Sequence, residues 1–452
     1  MHRAEGNSGP LQRLLWPLAV ALAVSVAHAQ WEPDRRLTSD PASSLTPFGY
    51  KAIAVVDNAV HVVWYDGRDG NFEVYYKRSL DSGLSWGPDT RLTNDPGTSW
   101  FSSLAAAGLE LHVIWMDNRD GNFEIYYKRS LDGGSGWSGD VRLTDNAALS
   151  QFPSIALSGS VVNVIWQDSR DGNTEIYYKR SPDGGATWGP DQRLTNDPAG
   201  SIFASVSASG SAVHVVWEEY RDGNAEIYDK HSMDAGLSWS PDIRLTNDPA
   251  ISFSPSVWVL GSHVHVAWYD RRDSNIAEIY YKRSSDAGAN WGSDTRLTND
   301  IGGSFHPSVR AAASNVHVTW YDDRDGNNEI YYKVSTDTGV SWAADTRLTV
   351  NGSQSIQTSV AVANQVVHVL WQDERDGNTE VYYKRNPAGN PTGLPGDVDG
   401  DADVDLDDLA ALANCLSGPG VPFSSGCGNA DLGTDGDVDL ADIASLESAF
   451  TG

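Results

Sequence analysis

A tryptophan followed by an acidic, arginine-containing turn recurs at Trp64, Trp115, Trp166, Trp217, Trp268, Trp320 and Trp371, at intervals of 51, 51, 51, 51, 52 and 51 residues. A chain that repeats one unit seven times builds seven copies of one supersecondary element, each burying its apolar face on the next. The first unit reads VHVVWYDGRDGNFEVYYKRSLDSGLSWGPDTRLTND, and the others are close copies. No stretch of the repeats has helical periodicity, which excludes helical solenoids. Four short strands are predicted in each unit. Strand A is small and apolar (Ser205 to Ala208 in the fourth), B alternates (Val60 to Trp64), C is aromatic (Glu73 to Lys77), and D ends in Arg91-Leu92-Thr93. Asp-Gly and Gly-Asn turns between such runs are hairpin signals. Four antiparallel strands in ~50 residues, seven times over, predict an all-β, seven-bladed propeller.

The closure is also legible. Trp31 to Thr38 (WEPDRRLT) copies the D segment Trp86 to Thr93 (WGPDTRLT), whereas the last unit stops after strand C at Asn386-Pro387. The N-terminal strand is therefore expected to complete the seventh blade and remove two exposed sheet edges. Expected boundaries are a leader over 1–29, the propeller over 30–385, a linker over 386–395 and a separate tail over 396–452.

The C–D turn carries S-x-D-x-G-x-x-W six times in phase, first as Ser79, Asp81, Gly83 and Trp86 and last as Ser335, Asp337, Gly339 and Trp342. Asp and Ser bond turn amides, Gly permits positive φ, and Trp packs between sheets. The motif resembles the Asp-box of the sialidase-type BNR propellers, a likeness covering about residues 30 to 388. In that family the motif is architectural and lies opposite the active site. The resemblance would imply three arginines for a substrate carboxylate, a Tyr nucleophile with a Glu partner, and an Asp. Nearly every arginine here belongs to the repeat; only Arg35, Arg271 and Arg310 stand off it in the body, the opening Arg-Ile-Pro is missing, and seven blades replace six. No catalytic residue is assigned, and a recognition or scaffold propeller is expected, with a sialidase-like or other glycoside hydrolase as the alternative. The strongest enzyme-like oddity is Trp217-Glu218-Glu219-Tyr220-Arg221, where the other units have Trp-x-Asp-x-Arg; it reads as drift in a solvated turn. His61, His112, His214, His265, His317 and His368 recur at one strand position and read as packing residues.

Two sets of residues are candidates for a ligand face. Arg68, Arg119, Arg170, Arg221, Arg272, Arg324 and Arg375 repeat in the B–C turns, within D-x-R-D-G-N-x-E. They either hold the hairpins or form a polar ring for a ligand. Tyr50, Phe101, Phe152, Phe203, Phe253 and Phe305 recur where the chain enters strand A, with Gln357 in the seventh unit. They either pack between blades or fringe the channel mouth and stack on a glycan or a protein side chain.

The tail changes character. From Gly396 to Gly452 there are 13 Asp and Glu and no Lys or Arg. Asp397, Asp399, Asp401, Asp403, Asp405 and Asp408 stand at positions 1, 3, 5, 7, 9 and 12 of a loop followed by a helical pattern. Asp431, Asp435, Asp437, Asp439 and Asp442 repeat it at 1, 5, 7, 9 and 12. Oxygens at this spacing converge on Ca²⁺, position 7 through its carbonyl. The pair resembles the duplicated loop–helix of type I dockerins, which implies about two calcium ions and a cohesin-type partner. Ala402 replaces the usual Gly at position 6 of the first loop, and Gly433 offers no side chain at position 3 of the second.

Arg3 and Arg13 before the apolar Leu14 to Val26 stretch, ending Ala27-His28-Ala29, read as a secretory signal. No other run is long enough to span a bilayer. In an exported chain the only two cysteines, Cys415 and Cys427, are expected to pair. A net charge of -29 argues against nucleic acid and anionic membranes as partners, and a monomer is expected. Calcium removal is expected to melt the tail alone, because its clustered carboxylates repel without the ion. Calorimetry with and without chelator checks this: one calcium-dependent transition, with the propeller transition unmoved.

Overall fold

The computed structural model describes residues 31–47, 51–273 and 275–387. The leader, Tyr50, both acidic loops of the tail, and Cys415 and Cys427 lie outside the described residues. Within them the chain forms seven antiparallel sheets, one per repeat. The fourth blade runs Ser201–Ser209, Ala212–Glu219, Glu226–Ser232 and Ile243–Arg244, strands A to D. In the seventh, Ser355–Ala363, Val366–Asp373 and Glu380–Asn386 are completed by Arg35–Arg36, with Arg35 opposite Tyr383 and Arg36 opposite Tyr382. The N-terminal strand closes the ring, as its sequence predicts.

The core is not one mass but seven apolar seams between neighbouring blades. Trp64, Trp115, Trp166, Trp217, Trp268, Trp320 and Trp371 are fully buried in them. One seam joins Val63 and Tyr76 of the first blade to Leu111, Val113 and Trp115 of the second. The closing seam joins Ala361, Leu370 and Tyr383 of the last blade to Val60, Val62 and Trp64 of the first. Trp31 packs edge-on to Tyr332 at 5.0 Å, as Trp86 does to Tyr383. Each buried indole removes about 200 Å² from water, worth about 5 kcal/mol before entropy is counted.

Five of the six repeated histidines are packing residues, and His214 is the exception. The Nδ1 atoms of His61, His112, His265, His317 and His368 lie 2.6–2.7 Å from the hydroxyls of Tyr76, Tyr127, Tyr281, Tyr332 and Tyr383. Most of those hydroxyls also seat against the next blade's C–D turn, which explains one glycine of the Asp-box. Gly185 has φ +77, and a Cβ there would lie 1.8 Å from the Tyr127 hydroxyl. Gly83 meets Tyr383 in the same way at 1.9 Å, across the closing seam.

Gly185→Ala is therefore expected to destabilise the propeller by about 2–4 kcal/mol, combining a backbone strained by positive φ with overpacking. Gly139→Ala, which meets nothing within 4 Å, is the control. Urea denaturation of both checks it.

Candidate functional site

Strand A of blades two to seven enters its sheet through a β-bulge. The ladder with strand B breaks between Trp100 and Ser103, Gln151 and Ser154, Ile202 and Ser205, Phe253 and Ser256, Phe305 and Ser308, and Ile356 and Ser359. The first residue inside each break is held at positive φ: Phe101 (50°), Phe152 (52°), Phe203 (51°), Ser254 (50°), His306 (48°) and Gln357 (58°). Non-glycine residues avoid this region, and bulky ones avoid it most. Six in phase are a built feature, and a bulge of this kind re-aims a side chain.

This corrects the register of the predicted aromatic set by one residue in two blades. Phe253 and Phe305 are not the counterparts of Phe101, Phe152 and Phe203; Ser254 and His306 are. Phe253 pairs with Tyr269 inside the regular ladder, as Trp100 pairs with Met116. The mouth is therefore asymmetric. Three phenylalanines form an edge-to-face arc, with Phe101 to Phe152 at 4.8 Å and Phe152 to Phe203 at 5.2 Å. The arc stops where Ser254 stands in place of a ring.

A pocket of about 390 Å³ opens at that gap, lined by Phe101, Phe152, Phe203, Phe253, Ser254, Tyr269, His306, Glu218 and Tyr220, among others. Phe305 lies outside its wall, stacked on Tyr321 at 5.5 Å. Glu218 is not in a solvated turn, as its sequence context suggests; it is 2% exposed. The reason is its place on strand B. It occupies the position of Gln167 and Gln372, whose Oε1 atoms accept from Phe203 N and Thr46 N, both at 3.3 Å. Glu218 Oε1 accepts from Ser254 N at 2.7 Å, and its Oε2 faces the Tyr220 hydroxyl at 3.5 Å. An acid thus fills a glutamine's role at the pocket wall.

Burial pushes the Glu218 carboxyl up to about 8, against the lowering by its bonds from Ser254 and Tyr220. Burial likewise lowers His306 to about 4. Burial first, then the nearby Glu218, pushes Tyr220 and Tyr269 up to about 12. Near neutral pH the wall is therefore uncharged, and it includes no Lys or Arg. Further along the channel a narrower cavity of about 60 Å³ is lined by the off-repeat Arg310, Lys51 and Trp258. Arg310 lies 3.4 Å and Lys51 Nζ 5.1 Å from the indole centroid, and Lys51 donates to Val206 O at 2.7 Å. Burial, and then the charge of Arg310, lowers Lys51 to about 7.

The seven turn arginines do not line the pocket. Arg68 chelates the buried Asp66 through Nε (2.9 Å) and Nη2 (2.6 Å), bonds Asp89 through Nη1 (2.8 Å) and lies 4.5 Å over Tyr75. Arg119, Arg170, Arg324 and Arg375 are held in the same way by Asp117, Asp168, Asp322 and Asp373, and Arg221 and Arg272 pair with Glu219 and Asp270 through Nη2. Their guanidinium groups are used within the blade. The off-repeat arginines do not converge either. Arg35 bonds Leu84 O on an outer strand, Arg271 N bonds Ile251 O in a B–C turn, and Arg310 lies in the channel.

Comparison with known proteins assigns the tail. Residues 395–451 match the Dockerin type I domain. The tail is a dockerin type I domain. No curated protein sequence matches the chain. Among solved structures, the propeller resembles the polysaccharide lyase Uly1 (TM-score 0.55, 10% identity, 79% of this chain and 100% of that one). It also resembles the Hadza microbial sialidase Hz136 (0.45, 13%, 72% and 73%) and the Trypanosoma rangeli sialidase (0.47, 13%, 88% and 64%). At these identities the likeness is one of fold.

Glu218, Tyr269, Ser254 and His306 are the wall residues that spacing did not bring together. Counting 51 residues from Phe203, and 52 more across the longer fifth interval, would have marked Ser254 and His306. Because the folded chain binds the Glu218 proton more tightly than the unfolded chain does, stability from this group is present below about 4.5 and is lost as pH rises through about 8. Glu218→Gln is expected to flatten the fall in the propeller's melting temperature across that window, with an advantage of the order of a few kcal/mol at its upper end. Melting curves of both proteins from pH 4 to 9 check this; parallel profiles would contradict it.

Proposed function

We propose that the chain is an exported, non-catalytic recognition module. Its dockerin tail, loaded with about two calcium ions, docks to a cohesin-type partner while the monomeric propeller presents the mouth pocket to a neutral saccharide. Dockerin type I domains in general bind calcium and pair with cohesins, which supports the docking half. The pocket carries the other half. Its wall is built from aromatic rings and one acid that burial keeps protonated, with no Lys or Arg. Sugar rings stack their C–H faces on such walls, and a protonated Glu218 both donates to and accepts from hydroxyls. A carboxylated sugar would enter without a counter-charge, which disfavours sialic acid and uronates.

One observation favours a second reading, a glycoside-cleaving enzyme: Glu218 is an acid with a raised pKa beside the Tyr220 hydroxyl. Two carboxyl groups usually flank a scissile glycosidic bond, and the pocket wall has one. Titration calorimetry of the full chain in calcium, with neutral and acidic oligosaccharides, is the test. Neutral ligands are expected to bind. Ser254→Phe, which fills the gap in the arc, is expected to abolish binding. Replacing Phe101, Phe152 and Phe203 together by Ala is expected to weaken it about tenfold or more at unchanged melting temperature. Binding of acidic sugars alone would overturn the reading, and release of new reducing ends that Glu218→Gln abolishes would favour the enzyme.

A further inference from the structure

The fourth blade departs from the repeat a second time, at the end of its strands away from the mouth. In the other blades, strand C carries Tyr76, Tyr127, Tyr178, Tyr281, Tyr332 and Tyr383; here Asp229 stands in that place. Two residues on, five blades carry Arg78, Arg129, Arg180, Arg283 and Arg385, each reaching a carbonyl of the following blade's C–D turn. Here that residue is His231. The two departures act together. His214 and His231 are direct cross-strand partners, and Asp229 lies two residues from His231 on the same face of strand C.

Asp229 bridges the two imidazoles. Its Oδ1 is 2.9 Å from His214 Nδ1, and its Oδ2 is 3.1 Å from His231 Nδ1. The rings stack at 5.0 Å. The side chains of His214 and Asp229 are fully buried, and that of His231 is 14% exposed. Among the described residues no Lys or Arg pairs with Asp229; its only ion-pair partners are the two histidines. A fully buried carboxylate needs a compensating charge, and neither partner carries an obligatory one. The arginine that five blades place nearby is the residue that has been replaced.

We propose that His214, Asp229 and His231 form a binding site for a first-row transition dication such as Zn²⁺. One ligand atom from each residue lies within 4.8 Å of the other two. Tetrahedral zinc with bonds of about 2.0–2.1 Å sets its ligands roughly 3.4 Å apart, so the two carboxylate contacts open by a few tenths of an ångström while the separation of the imidazole nitrogens, within 4.8 Å, adjusts to match. Two imidazoles and one carboxylate suit zinc, nickel or copper and not the all-oxygen shell of calcium. Three protein ligands leave a fourth position for water, reached past the exposed edge of His231. The blade-five turn closes the site from above. A Cβ on Gly288 would meet His214 Cε1 at 2.6 Å and His231 Nδ1 at 3.1 Å. The site is separate from the mouth pocket, and it tethers strands B and C where the fourth blade lacks the usual arginine clamp.

The test uses the full chain, cleared of metal and held in excess Ca²⁺ so that the tail is loaded. Zinc is then added, weakly bound ion is removed by dialysis, and metal is counted by mass spectrometry. One zinc per chain and a raised propeller melting temperature are expected, with cobalt giving the intense visible bands of a tetrahedral site. The double substitution Asp229→Tyr and His231→Arg restores the residues of the other blades and is expected to keep the fold and lose the ion. His231→Arg alone, which removes one ligand, is expected to lose it as well. Wild-type protein without stoichiometric zinc, or equal zinc on wild type and on either variant, would overturn the proposal.

Discussion

The propeller depends on a buried carboxylate at the end of each strand B. Asp66 accepts the Trp64 indole N–H at 3.0 Å and the Ser44 hydroxyl at 2.8 Å while Arg68 grips both its oxygens. An isolated buried carboxylate would cost several kcal/mol, so its partners are obligatory. Satisfying them fixes the indole in the seam, the serine of the entering strand A and the arginine of the B–C turn in one step. A second buried acid, Glu73, anchors strand D through Arg91 at 2.9 Å and takes the Asn71 amide at 2.9 Å. With polar groups at the blade ends consumed this way, little of the repeated charge is left for a ligand. This is why the turn arginines, the most conspicuous polar pattern in the sequence, do not line the pocket.

Function on such a ring is confined to the positions that the networks leave free. The bulge supplies one in each of blades two to seven. It costs backbone strain, of order 1 kcal/mol or more for each non-glycine residue at positive φ. In return it turns that residue toward the mouth. Whether the mouth is a closed aromatic collar or an open pocket then depends on the residue standing there. Phenylalanine at Phe101, Phe152 and Phe203 builds the wall, and serine at Ser254 leaves the gap. The pocket is thus made by an omission within an otherwise repeated pattern.

Much of this was legible in the chain. The Trp period fixes seven blades, and the WEPDRRLT copy near the N-terminus predicts the closing strand. The shared strand position of His61 and its counterparts predicts packing, which holds for five of the six and not for His214. The mouth was less legible for a definable reason. Phe253 and Phe305 look like the continuation of the Phe101 series, but they stand one position earlier in the repeat, just before the bulge residue that blades two to seven share, and a shift of one residue sends a side chain to the other face. Glu218 was misread for a related reason. A Glu–Glu–Tyr–Arg string resembles a solvated turn, yet Glu218 lies within the ladder, one pair from its end, opposite Ile227 and Ile202. Polarity in the sequence does not reveal that the neighbouring blade supplies an amide, Ser254 N, to receive it.

The fourth blade concentrates these departures. Glu218 and Tyr220 sit at one end of its strands, and Asp229 and His231 near the other. In a ring of like units, each sector is held by two seams and by its own pair of buried acids, Glu219 and Glu226 in this blade. Those anchors are intact, so the blade keeps its geometry while four other positions change chemistry. The same logic explains why Glu219 can replace the usual Asp. It still accepts the Trp217 indole at 3.0 Å and the Ser201 hydroxyl at 2.9 Å, and it still pairs with Arg221 at 2.7 Å. Redundancy of the frame lets one sector carry groups that would be too costly in a fold with a single core.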